Sequence, residues 1–290
     1  MPVKLKGVSL ASLKGSIFVS YSHKDIDQVR EIRNYLESMG IEPIMLYLRC
    51  MDDAKFLDRY HLSRLIIREI RARDWFLYID SPNARASKWV QSELKYAMMA
   101  KDKHVIILNL EEGLSAIRKK LTAITRSMRV YMTFFVDSVT EYNLMRDEFF
   151  RQDFYVIDRN ETFKKEEYTH LDERDMMNVS LVLKNGIFVP LITRRNLVRD
   201  ALYNQMEYAY SHPDTIVFPV VDKASWNTIV NAVPVDENDD SIENYVKKRY
   251  YKLKLLLENK KVFLVNGYSE KTVADVVKRI RTALVQRINA

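Results

Sequence analysis

The feature that most constrains this chain is a regular alternation of short runs of strand-forming residues with amphipathic helical patterns. Residues 16–21 are apolar and rich in strand formers, and they end in polar Ser22, His23, Lys24 and Asp25, as a strand and turn do. Val29, Ile32, Leu36 and Met39 then recur at helical spacing, and Gly40 is placed to end that helix. Residues 41–48 read as a second strand and 49–60 as a loop. Leu62, Leu65, Ile66 and Ile70 share one face of a second helix. Residues 74–80 form a third, buried strand, 81–86 a loop opened by Ser81-Pro82, and 87–101 a third helix. A fourth strand at 104–110 and an amphipathic helix at 112–127 follow. Strands alternating with helices imply an α/β fold whose parallel sheet is covered on both faces. Ligands of such sheets bind at the carboxyl ends of the strands, so function is expected in the loops after residues 21, 48 and 80.

The second half repeats this order. An offset of 112 lays Phe76 through Ser81 over Phe188 through Thr193, carries Tyr96-Ala97 onto Tyr208-Ala209, and sets Val105 to Leu108 on Val217 to Val220. An offset of 113 lays Ile17 through Ile44 over Val130 through Ile157, so that Val29, Ile32 and Leu36 meet apolar Tyr142, Met145 and Phe149. The strand at 129–135 fits either half, completing the first sheet or opening the second. Residues 222–260 have no counterpart in the first half. With the acidic stretch Asp236 to Asp240, that insert is expected to pack outside the common frame as its least regular part, with 234–241 mobile. A basic Tyr/Leu-rich helix around 241–258, a strand at 262–265 and a closing helix at 270–288 complete the chain.

Composition narrows the classes. Hydrophobic residues at 47% and charged residues at 29% exclude wholesale disorder. No apolar run approaches the ~20 residues of a membrane helix, and the first 16 residues read as a tail rather than a signal peptide. Cys50 is the single cysteine, so neither an intrachain disulfide nor a Cys-ligated metal centre is expected. A cytoplasmic location follows as an expectation. Cys50 itself, beside Arg49, reads as an inert residue near a strand end or as a reactive thiol. The net charge of +7 permits anionic partners, but charges of both signs are interspersed and no nucleic-acid motif stands out, so a nucleic-acid partner is not expected. There is no G-x-G-x-x-G, G-x-x-x-x-G-K-[ST], G-x-S-x-G or H-E-x-x-H, and six glycines leave little room for a phosphate-cradling loop.

Two motifs carry a specific likeness. Phe18-Val19-Ser20-Tyr21-Ser22-His23-Lys24-Asp25 resembles the first signature box of bacterial TIR (Toll/interleukin-1 receptor) domains. Ser81-Pro82, followed by Ser87-Lys88-Trp89-Val90-Gln91-Ser92-Glu93, resembles the family's later signature, Ser-x-Trp-x-x-x-Glu, on the helix after the third strand. The resemblance is close over 15–127 and holds only in outline over 128–290. It implies two flavodoxin-like units in tandem: residues 1–127 as a TIR-like domain with intact signature positions, and 128–290 as a degenerate copy carrying the insert near 222–260.

Enzymatic TIR domains cleave the nicotinamide–ribose bond of NAD, and some cyclise or transfer the ADP-ribose. The resemblance therefore nominates Glu93 as the catalytic residue and Ser20, Tyr21, Asp25, Ser81, Ser87 and Trp89 as substrate contacts, with NAD as substrate, no cofactor and no metal. It also implies self-association or contact with other TIR surfaces, and a downstream effector reading a nucleotide signal in antiphage defence. Each residue keeps a structural reading beside this one. Glu93 one turn inside a helix is ordinarily solvent-exposed, and Trp89 ordinarily packing. Ser87 and Asp25 serve equally as helix caps. Tyr21 serves as packing, and His23 as an exposed side chain or a phosphate contact. The loop after the second strand departs from the family: Leu48-Arg49-Cys50-Met51-Asp52-Asp53 lacks its Pro-Gly, which puts pocket shape and assembly contacts in doubt. In the second half Glu93, Trp89 and Ser87 fall on Gln205, Ala201 and Arg199, and Asp25 on Ser138. Glu207 lies two positions on, about 200° around the helix. A catalytically dead scaffold, sensor or assembly unit is expected there.

Overall fold

A computed structural model describes residues 15–45, 59–100, 103–133, 135–157, 186–235 and 241–289, without the side chains of 59–61 and Val136. The loop at 49–58, Cys50, the acidic stretch 236–240 and the first 14 residues lie outside the described residues. The chain divides into two compact units: Met1–Met128 with Phe150–Tyr155 and Arg281–Ala290, and Arg129–Phe149 with Val156–Ile280.

The first unit is built on strands β1 (Gly15–Ser20), β2 (Ile41–Ile44), β3 (Trp75–Asp80) and β4 (His104–Asn109), all parallel in the order β2-β1-β3-β4. Burial of all six β1 residues and of five of the six in β3 fits a sheet covered on both faces. Helices α1 (Ile26–Ser38), α2 (Arg59–Arg71), α3 (Pro82–Ala86) and α4 (Lys88–Met99) make the crossovers, and α5 (Leu114–Met128) follows β4. Residues 81–86 are thus a loop only at Ser81; Pro82 opens a short helix, where a ring with no N–H to satisfy is well placed. Val29, Ile32 and Leu36 are buried on α1, and Gly40, at φ 78°, takes the left-handed turn that ends it. Phe18 and Phe76, opposite one another on β1 and β3, stack with centroids 5.4 Å apart. Ile66, Ile70, Val90 and Ala97 pack around them from α2 and α4.

The second unit holds β5 (Arg129–Met132), α6 (Val139–Arg151), β6 (Tyr155–Val156), β7 (Ile187–Val189), β8 (Leu191–Ile192), α7 (Asp200–Ser211), β9 (Ile216–Val217), β10 (Val220–Asp222), α8 (Lys223–Val230), α9 (Ile242–Leu257), β11 (Phe263–Val265) and α10 (Glu270–Asn289). The end of α6, Tyr155 of β6 and the last turns of α10 belong to the first unit. The strand at 129–135 opens the second sheet: Val130 pairs with Ile187 and Met132 with Val189. The strands lie β6-β5-β7-β9 and β8-β10-β11. Pro190 and Pro219 divide one ladder into these two parts, because neither offers an N–H. The ladder runs on through their carbonyls, which accept from Val220 and Phe263 at 2.9 Å each.

Read as one ladder, the second unit has the first unit's strand order with one strand more. Helix α4 recurs 112 positions on as α7, and α1 recurs 113 positions on as α6. The Phe18–Phe76 stack recurs as Tyr131–Phe188, at 5.7 Å. Asp153 stands where Gly40 does, also left-handed at φ 60°.

The expectation for 222–260 is corrected. Rather than irregular, most of it is helical: α8 and α9 bury Ile229, Leu253 and Leu257 and form the crossover that parallel β10 and β11 require. The sequence pattern misled because the first sheet ends at β4, so the connection from β10 to β11 has no counterpart there.

Candidate active site

The carboxyl ends of β1 and β3 place the signature residues. Ser20, the last residue of β1, is buried and donates from Oγ to Glu93 Oε2 at 2.5 Å. Glu93 stands on α4, which begins where Ser87 Oγ accepts from the Val90 N–H and so caps the helix. The carboxyl of Glu93 is mostly withdrawn from water. Burial pushes its pKa up to about 7, with the Ser20 hydroxyl pulling the other way. Desolvation outweighs the hydrogen bond, so the group is poised between its two protonation states at neutral pH.

Glu93 faces a cleft of about 390 Å³, within the range of small-molecule sites. Tyr21, Ser22, His23 and Lys24 line it from the loop after β1, Asn83, Ala86 and Ser87 from the segment after β3, and Trp89 from α4. Lys24 is exposed and His23 half-buried, with Nδ1 lacking a hydrogen-bond partner. Trp89 packs on the core through part of its ring and walls the cleft with the rest. Behind it, between α2 and α4, a second hollow of about 310 Å³ is lined by Ile66, Ile67, Ile70 and Tyr96, and Glu93 and Trp89 border this one too.

Asp25 and Ser81 stand apart from the cleft wall. Asp25 heads α1 without a side-chain capping bond. It accepts instead from Ser81 Oγ at 2.5 Å and from Asn83 Nδ2 at 2.6 Å, tying the loop after β1 to the segment after β3. Ser81 in turn accepts from the Ala84 N–H and caps α3. Of the residues nominated from sequence, Glu93, Tyr21, Ser87 and Trp89 border the cleft, Ser20 holds Glu93, and Asp25 with Ser81 braces its rim. Ser22, Lys24, Asn83 and Ala86 were not nominated, although all four lie inside or between the two signature boxes. For Asn83 and Ala86, a place on the cleft depends on which residues the short helix α3 turns inward.

The family model described as TIR domain matches residues 17–143. A TIR domain is found there. The match takes in both signature boxes and runs past Met128 over β5 into α6. No curated protein matches the chain. The flavodoxin-like order of the parallel strands accords with the TIR fold. Among the described residues no group of three or more His, Cys, Asp and Glu is placed to hold a metal ion, and no helix is long and apolar enough to cross a membrane.

The corresponding place in the second unit is built differently. Gln205 stands 112 positions after Glu93, and its Oε1 is buried without a partner. Thr133, at the position of Ser20, accepts from the Leu191 N–H instead. Arg199, at the position of Ser87, leaves α7 without a side-chain cap and pairs with Asp137, which stands where Lys24 does. Arg195 adds a bond to the Asp137 carbonyl at 3.0 Å. The two loops that border the cleft in the TIR domain are thus joined here by charge. Glu207 points elsewhere, exposed, and accepts from Tyr203.

Proposed function

We propose that the TIR domain is an NAD glycohydrolase or ADP-ribose cyclase with Glu93 as its catalytic residue. The single observation that carries this reading is the desolvated Glu93 carboxyl, held by Ser20 on the wall of a cleft whose mouth presents Lys24 and His23. In the reaction the C1′–N1 bond of NAD breaks, its electron pair passes to the pyridinium ring, and neutral nicotinamide departs without a proton. The ribosyl oxocarbenium left behind is stabilised by the ionised carboxylate. Water then attacks C1′ and releases a proton to give ADP-ribose; attack by an adenine nitrogen of the same molecule gives the cyclic product. Lys24 suits the pyrophosphate. The apolar hollow beyond Trp89 suits a flat, neutral ring.

The second unit we read as a degenerate copy of the TIR domain. The shared strand order, the recurring aromatic stack and the 112–113 spacing of whole elements support this. Gln205 and the Arg199–Asp137 pair make it a non-catalytic unit, used as scaffold, sensor or assembly surface. A cytoplasmic, bacterial protein that associates with further TIR surfaces and signals infection through its product completes the proposal. The alternative, a purely interacting TIR module, has the closed second unit in its favour. Incubating the purified chain with NAD and separating nicotinamide, ADP-ribose and cyclic ADP-ribose decides between hydrolase, cyclase and neither.

A further inference from the structure

Residues 242–261 carry seven Lys and Arg against two Glu, a net of +5 within a chain whose total is +7. The fold sets this charge beside α7, whose only charged residues are Asp200 and Glu207, so the two segments together keep a net of +3 from seven cations against four acids. Helix α9 runs beside α7 in the same direction, joined at Arg249–Asp200, Lys252–Tyr203 and Lys260–Tyr210. Along that seam the cations are seated on tyrosines. The Arg249 guanidinium lies 5.1 Å from the Tyr245 centroid and 5.9 Å from that of Tyr203. Lys252 Nζ lies 5.6 Å over Tyr203, and Lys260 Nζ 5.1 Å over Tyr210. Lys247, Lys260 and Lys261 are exposed, and Lys248 and Lys252 half-exposed. Arg249 spends its charge on Asp200, and Lys247 pairs directly with Glu243 at 2.5 Å, an exposed pair that holds little energy against a competing anion.

We propose that this α7–α9 face binds the phosphate backbone of a nucleic acid. From Lys247 to the end of α9 at Leu257 the helix rises about 15 Å, with Lys260 and Lys261 just beyond it, a span that a few successive phosphates would match. Because the cations already cover faces of Tyr203, Tyr245 and Tyr210, the rings orient ammonium and guanidinium groups rather than stack bases. The surface therefore reads charge and spacing, not sequence. Sequence patterning hides this, since the cations are interleaved with Tyr and Leu over two helical turns and beyond instead of forming one block.

The test uses the full chain and fluorescence anisotropy with a labelled 30-base-pair DNA duplex and a labelled 30-nucleotide single strand, from 50 to 300 mM salt. Five participating lysines give a slope of log affinity against log salt of about −4. The triple variant Lys247→Glu/Lys248→Glu/Lys252→Glu loses at least 10-fold in affinity at 100 mM salt and more than half of that slope, whatever the base sequence. A triple Lys→Gln variant at the same positions, with a thermal melt of each protein, shows that the loss follows charge and not unfolding. The double variant Lys119→Glu/Lys120→Glu on α5 loses less than 3-fold. Three results overturn the proposal: no salt-dependent binding to either probe, an equal loss in the α5 variant, or binding to a polyglutamate peptide with none to nucleic acid.

Discussion

Glu93 is a carboxyl whose surroundings set two opposite pH dependences. Its folded pKa, about 7, lies above the ordinary glutamate value of 4.5, so folding favours the protonated form. Stability is therefore present in full below about 4.5 and is lost as pH rises through 7. Catalysis needs the other form, so kcat/KM is expected to rise through about pH 7 and level off above it. Glu93→Gln, which cannot ionise, is expected to lose on the order of 10²–10³ in rate. It should also melt higher than wild type at pH 8, by about 1–3 kcal/mol of stability, with the gap closing by pH 5. Thermal melts of both proteins across that range check the sign. Ser20→Ala removes the hydroxyl that counters burial, so the midpoint of the activity profile should move to higher pH. That variant should also lose about 1–2 kcal/mol above pH 7. Both roles were only half legible in the sequence. Trp89 and Glu93 stand four apart on a patterned helix and announce a shared face, but the hydrogen bond from Ser20 spans 73 positions, and only the pairing of β1 beside β3 brings it about.

At the scale of elements, the cleft depends on loops braced from behind. Asp25 receives two donors from the segment after β3 and offers nothing to the cleft itself. Asp25→Ala should therefore cost about 1–3 kcal/mol of stability, since Ser81 and Asn83 are left with unused donors. It should raise KM for NAD more than it lowers kcat, which steady-state kinetics at several substrate concentrations will separate. The order of strands and helices was readable from periodicity, because buried parallel strands are continuous apolar runs and crossover helices are amphipathic. What was not readable is where proline interrupts a ladder without ending it. Pro190 and Pro219 split two strands, yet their carbonyls keep the sheet joined. The double-helix crossover of α8 and α9 was hidden for a related reason: a pattern with no counterpart in the first unit looks like an insertion whether or not it is regular.

For the whole molecule, the TIR domain matched at 17–143 is not the whole of its compact unit, which also takes in Phe150–Tyr155 and Arg281–Ala290. Within that unit Arg281, buried to 3% exposure, pairs with Asp74. The Asp74 N–H bonds Asp153, which also accepts from Ser16 and whose burial holds its carboxyl above the usual range. Arg281→Ala would leave Asp74 without its buried cation and should cost about 3–5 kcal/mol. A fragment ending at residue 143 lacks both Arg281 and Asp153, and limited proteolysis should find it cut far faster than the full chain. Gln205→Glu should not create activity in the second unit, where Arg199 and Asp137 join the loops. The most direct measurement for the central claim is the rate of nicotinamide release from NAD by wild-type protein and by Glu93→Gln, at equal concentration and pH 8. The account predicts nicotinamide with matching ADP-ribose or its cyclic form from wild type, and a rate at least 100-fold lower from a folded Glu93→Gln. Equal rates from the two proteins, or no nicotinamide from either, would contradict it.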